Sequence, residues 1–223
     1  MNIDWISEKL MAPEADASRP ERTRLLLLKA GLSFLAQGET DVSILRICHS
    51  AGVSNGSFYN FFESKQEFFE QSAYEAVNRL SDLLVEDSLR EDLADEVVAR
   101  NFRVVGRVHR VAPLISEVLI RLGADYYAQG TGFVEKMRGS IDRGVADGVF
   151  HLEDPEGVVG ATVGAMLMLG RRLHDHPELS ADQATDALCE NILRMMGVDP
   201  VRAHELAWGE LELSAMAAEL IGQ

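Results

Sequence analysis

Ser54, Asn55, Gly56 and Ser57 form a run of small polar residues directly after the turn Ala51-Gly52-Val53. Such a run suits the outer, N-terminal end of a helix that enters the major groove of DNA, where short polar side chains reach base edges. The Asn55 amide can donate and accept at once, matching the N6 and N7 edge of adenine. The residues around the run meet the demands of that geometry. A preceding short helix over Ser43 to Ser50 turns Ile44 and Ile47 inward, with Asp41 or Ser43 able to cap its start. Ala51 is small where two helices cross, and Gly52 can take the positive φ that reverses the chain without a Cβ clash. Val53 plugs the junction, and Phe58 and Phe62 anchor the inner face of a third short helix, Ser54 to Phe61. Two short helices joined by a glycine turn make a helix-turn-helix.

Other chemistry finds little support. His174-Asp175-His176 resembles a metal-binding cluster, but residues one and two apart do not share a helix face. Pro177 follows, so a solvated loop is expected there. No histidine has a glutamate three residues before it, which removes the di-metal carboxylate pattern of helical bundles. HExxH and P-loop motifs are missing as well. Cys48 and Cys189 lie far apart and match no metal spacing; they are expected to be small buried residues in a reducing cytoplasm. No catalytic residue, metal ligand or cofactor is therefore expected.

The whole chain of 223 residues is 47% hydrophobic and 26% charged, ordinary for a protein with a substantial core. Its net charge of −15 argues at first against a nucleic-acid partner. The distribution answers that objection in part. Six basic and four acidic residues between Arg19 and Lys65 make that stretch +2, leaving −17 for the remainder. The longest apolar stretch, Val158 to Leu169, holds Gly160 and Gly164 and runs into Arg171 and Arg172. It is well short of the ~20 residues that span a bilayer. Asp4, Glu8 and Lys9 near the start do not make a secretory signal. A cytoplasmic protein without membrane contact is the expectation.

Helical periodicity runs through most of the chain. Residues 1–18 read as a flexible arm. From Pro20, the residues Leu26, Leu27, Ala30 and Phe34 recur at the helical period, and Gly38 suits the stop. Ser64 and Glu67 form a capping box that opens a long helix to about Arg90. Further helices are expected over 92–111, 114–128, 131–147, 155–175, 181–196 and 201–220. The fold class is all-α: a DNA-binding unit over 19–64, then a larger helical domain over 65–223.

The run from Ala51 to Lys65, A-G-V-S-N-G-S-F-Y-N-F-F-E-S-K, closely resembles the signature of TetR/AcrR-like regulators. Leu26, Leu27, Ala30, Phe34 and Gly38 fall where that family's first helix places its apolar face and end. The resemblance implies that Ser54, Asn55 and Ser57 face bases or nearby phosphates, and that Tyr59 and Lys65 hold phosphates. Ser43 is a further phosphate candidate at a helix start. Phe61 stands where a polar His or Tyr is common, so Asn60 is expected to substitute; Leu45 replaces a usual polar residue. The resemblance also implies a homodimer on a double-stranded DNA operator, and repression relieved by a small-molecule effector. Phe102, His109, Tyr126, Tyr127 and Phe133 are candidate effector-lining residues. Gly160, Gly164, Leu167, Leu188, Ile192 and Met195 are candidate dimer residues on the helices over 155–175 and 181–196. Two other classes stand beside this one: a helical-bundle enzyme or metal protein, and an adaptor with a vestigial helix-turn-helix.

Overall fold

A computed structural model describes residues 16–87, 93–113, 115–117, 119–121 and 132–211. The described residues are helical or irregular, with no strand among them. The chain forms two compact units, Met1–Leu80 and Ser81–Gln223.

In the first unit, α1 spans Arg19–Ala36. Ser18 caps it and Glu21 reaches back to the Ser18 amide at 2.7 Å, so two amides that lack helical partners are satisfied reciprocally. Its inward stripe is Leu27, Leu28, Leu32 and Leu35, all fully buried. Leu26, expected on that stripe, is exposed instead. The neighbouring leucines at 27 and 28 take the core-facing positions and turn 26 outward. Gly31 lies against Ser72: a Cβ there would come 2.1 Å from the Ser72 hydroxyl, so only glycine allows this close approach. The Ser72 hydroxyl is itself satisfied by the Phe68 carbonyl at 2.7 Å.

Helix α2 spans Ile44–Ser50, α3 Asn55–Phe58 and α4 Lys65–Asp87. Ser43 is the cap of α2, accepting from the Arg46 amide at 3.2 Å. Gly52 takes φ +66°, the reversal that the turn needs. The third helix stops at Phe58, three residues earlier than its pattern suggests. Asn60 and Phe61 donate to carbonyls three residues back, tightening the chain into turns before Ser64. At α4, Ser64 accepts from the Glu67 amide at 3.0 Å, while the Glu67 carboxylate takes the Glu63 amide at 2.7 Å.

In the second unit, α5 spans Ala94–Val111, α6 Phe133–Ala146, α7 Pro155–Asp175, α8 Ala181–Met195 and α9 Pro200–Trp208. Backbone at 115–117 and 119–121 is helical too. Helix α5 lies at the centre and packs on α6, α7, α8 and α9. Gly106 on α5 meets Thr185 of α8 so closely that an added Cβ would stand 2.3 Å from the threonine methyl. The helix expected over 201–220 ends at Trp208, because Gly209 turns the backbone extended. Asp199 starts that helix by accepting from the amides of Val201 and Arg202. Residues 212–220 of that expectation lie outside the described residues.

Candidate nucleic-acid interface

The platform under the recognition helix is aromatic. Phe58, Phe62 and Phe68 are buried together, with ring centroids 5.2 to 5.5 Å apart. Such pairs add stabilisation beyond their buried area. Because Phe58 turns inward, the opposite side of α3 must face out. Ser54, Asn55, Gly56, Tyr59 and Asn60 are exposed, and Ser57 is half-buried. Tyr59 is 66% exposed and touches Phe58 only edge-on, so its phenol is free of any core role.

The polar groups on this face bond one another. The Ser54 and Ser57 hydroxyls lie 2.8 Å apart, and the Lys65 ammonium lies 3.5 Å from the Asp41 carboxylate. Arg46 pairs with Glu39, and its guanidinium sits 5.2 Å above the Phe34 ring. Ser43 is exposed; its hydroxyl oxygen accepts from the Arg46 amide, which leaves its O–H to donate. Cys48 is buried beneath, its thiol pushed up by burial and directed at the Asn55 carbonyl 3.9 Å away. The stretch Gly52-Val53-Ser54-Asn55-Gly56 does spell a G-x-S-x-G pattern. A nucleophile elbow requires a strand before the serine and a histidine beside it. Here a helix precedes it, and the Ser54 hydroxyl bonds Ser57.

The candidate effector residues divide. Phe102 and Phe133 line one cavity together with Val98, Asn101, Lys136, Met137, Ser140 and Thr162. The Asn101 Oδ1 is buried there without a hydrogen-bond partner. Lys136 pairs with Asp82, and burial holds its ammonium pKa below the ordinary value. Tyr126 and Tyr127 lie outside the described residues. His109 is buried elsewhere, its Nδ1 2.6 Å from the Ser116 hydroxyl, which in turn lies 3.0 Å from His174 Nε2. Gly170 makes room for this ring, since a Cβ there would stand 2.6 Å from it. The loop expected at 174–176 is thus corrected. His174 sits in the last turn of α7 and reaches Ser116, while His176 pairs with Glu178. Spacing gave no signal for this arrangement, because Ser116 comes from a distant segment.

Burial foremost, and His174 second, pull the His109 pKa from 6.5 down to about 4. The unfolded chain therefore binds this proton first as pH falls. The stability that neutral His109 contributes is whole above about pH 6.5 and drains away toward pH 4, roughly 3 kcal/mol in total. Urea midpoints at pH 7 and pH 4.5 for the wild type and His109→Gln test this. The gap between the two proteins should change by more than about 1 kcal/mol; an unchanged gap would remove His109 as the acid-sensitive group.

On α7 and α8, Gly164 and Met195 are exposed, Gly160, Leu167 and Leu188 half-buried, and Ile192 buried within its own chain. Nothing lies within 4 Å of a Cβ added at Gly164, and Met168 beside it is 59% exposed. Among the described residues no group of three or more His, Cys, Asp or Glu side chains is placed to hold a metal, and no helix is long and apolar enough to cross a membrane.

Comparison with known proteins agrees with this architecture. Residues 27–71 match the family model of bacterial regulatory proteins of the tetR family, and residues 93–208 match that of the tetracyclin repressor-like C-terminal domain. Among solved structures, the chain resembles RolR in complex with resorcinol at 24% identity and a TM-score of 0.72, covering 87% of this chain and 97% of RolR. Ligand-free RolR gives 24% identity and 0.69, over 85% and 98% of the two chains. A gamma-butyrolactone receptor (ArpA-like protein) gives 19% identity and 0.53, over 92% and 99%. No curated protein sequence matches significantly. With a reading head set on buried phenylalanines and both family models matched, more than half of the chain by the second alone, this protein belongs to the TetR family of transcription regulators.

Proposed function

We propose that the chain is a cytoplasmic, non-enzymatic repressor that binds a palindromic operator as a homodimer and releases it when a small molecule binds. One observation carries this reading: Ser54, Asn55, Tyr59 and Asn60 stand exposed on the recognition helix and at its two ends, locked from below by Phe58. In this reading residues 19–64 are the DNA-binding domain and 65–223 the effector and dimer domain. Ser54, Asn55, Gly56 and Ser57 meet base edges, and Ser43, Tyr59, Asn60 and Lys65 hold phosphates and so set register. Pairing of the exposed faces of α7 and α8, around Gly164, Met168 and Met195, doubles a short site into two half-sites.

The effector occupies the cavity of Phe102 and Phe133. Its walls are mainly apolar and aromatic, and Asn101 Oδ1 offers an acceptor in need of a donor. A small hydroxylated aromatic would satisfy both once the walls part, since the space as it stands is only water-sized, and this is in keeping with the resorcinol bound by RolR. Such a ligand acts by differential affinity: it favours the conformation whose two recognition helices are wrongly spaced for DNA. Tyr126, Tyr127 and His109 are weaker candidates for the lining.

The test is titration of the purified protein against a promoter fragment from its own gene neighbourhood, at two salt concentrations. Alongside goes the double variant Tyr59→Phe, Lys65→Ala. Each Lys65 ammonium removed takes away one phosphate contact, two in a dimer. The slope of log affinity against log salt should flatten by about 2, with affinity down on the order of tenfold or more. A wild-type dimer that ignores both this fragment and random duplex pools would sink the repressor reading.

A further inference from the structure

The helix-turn-helix is less basic than its role demands. From Glu39 to Lys65 it carries two cations, Arg46 and Lys65, against three carboxylates, Glu39, Asp41 and Glu63. The structure shows where two of those carboxylates go. Glu39 and Asp41 both lie in the connection between α1 and α2. Glu39 pairs with Arg46, and the Asp41 carboxylate stands 3.5 Å from the Lys65 ammonium. Both cations beside the recognition helix are thus neutralised by one short acidic connection. Arg46 is further held by the Phe34 ring at 5.2 Å, while Asp41, apart from Lys65, stands fully exposed.

We propose that Glu39 and Asp41 form an intramolecular brake on DNA binding, occupying the cations that a phosphate would otherwise take. The inference rests on the DNA-binding reading above and adds a regulatory contact to that same site. A phosphate reaching Lys65 must displace Asp41 or share the ammonium with it. An exposed ion pair is worth about 1 kcal/mol at most, so the brake yields when other contacts hold the protein in place. It acts on every sequence alike because it works through phosphates, which supply nearly all of non-specific affinity. Its consequence is a low affinity for DNA in general, so that only a duplex adding base contacts to Ser54, Asn55 and Ser57 is retained.

The probe is a labelled random-sequence duplex, titrated at several salt concentrations with wild type, Asp41→Asn, Lys65→Ala and the double variant Asp41→Asn, Lys65→Ala. Thermal unfolding of each variant verifies the fold, and Asp41 is exposed enough for its substitution to leave the core untouched. Asp41→Asn should bind tighter at low salt by about fivefold per protomer, the equivalent of one surface charge pair in each. Its salt slope should steepen by about 0.9 per protomer as Lys65 gains a phosphate. In the Lys65→Ala background the same substitution should gain nothing. Glu39→Gln should act likewise and lose its effect beside Arg46→Ala. Asp41→Asn affinity within about twofold of wild type at low salt overturns the brake. A gain that survives Lys65→Ala overturns it as well, since the carboxylate would then act by direct repulsion. Failure of wild type and all variants to bind any duplex overturns DNA recognition itself, and so is told apart from failure of the brake alone.

Discussion

Phe58→Ala is expected to cost about 3–5 kcal/mol, enough to unfold the reading unit under ordinary conditions. The ring is fully buried and sits 5.3 Å from Phe68 and 5.5 Å from Phe62, so its loss leaves an aromatic-sized hole in the platform. The same side chain fixes the outward direction of Ser54 to Tyr59, because α3 is only four residues long and has no other deep anchor. DNA binding should disappear with the stability. Phe58→Leu, which keeps most of the volume, should cost much less. Urea denaturation of the two variants, with hydrogen exchange at the amides of α2 to α4, reads both effects. A loss under about 1 kcal/mol for Phe58→Ala would show that the platform rests on other contacts.

Asp186→Asn is the second large expectation. Asp186 on α8 is buried and accepts from two buried arginines of α5: Arg103 Nε at 3.0 Å and Arg107 Nη2 at 3.0 Å. Arg103 also donates to the carbonyls of Leu206 and Gly209 at 3.1 and 2.9 Å, tying the end of α9 to the same point. Removing the one shared carboxylate charge leaves two largely buried guanidiniums without their common counter-charge. Asp182, 3.0 Å from Arg107 Nε, is largely exposed and compensates little. Breaking a buried pair in this way typically costs about 3–5 kcal/mol. The triple substitution Asp186→Leu, Arg103→Met, Arg107→Met removes every buried charge at once. It should recover most of the loss, because desolvation offsets much of a buried ion pair's attraction. Denaturation midpoints of the two proteins decide the matter. If Asp186→Asn is as stable as wild type, the cluster has water or room enough to relax.

Much of this protein is determined by local pattern and so can be read from one dimension. The residues from Ser43 to Glu67 need only their own order to form the turn at Gly52, the caps at Ser43 and Ser64, and the inward set of Phe58 and Phe62. Those features depend on interactions within a few residues, and the family resemblance follows from them. Helix ends were less well determined. The period continues past Phe58 and past Trp208, but i→i+3 turns and the extended Gly209 stop the helices there.

What only the tertiary structure decided involves partners far apart in sequence. The Arg103–Asp186 and Arg107–Asp186 pairs join residues 83 and 79 positions apart, and the His109–Ser116–His174 chain joins three segments. A lone Asp or His in an amphipathic pattern reads as solvated surface, and nothing in its neighbours announces the burial. Cavity membership is of the same kind: Phe102 meets Phe133 across two helices, while His109, seven residues on from Phe102, is held elsewhere by Ser116. Short-range order is encoded by spacing, whereas which buried charges meet depends on how helices pack, and packing is a property of the whole core.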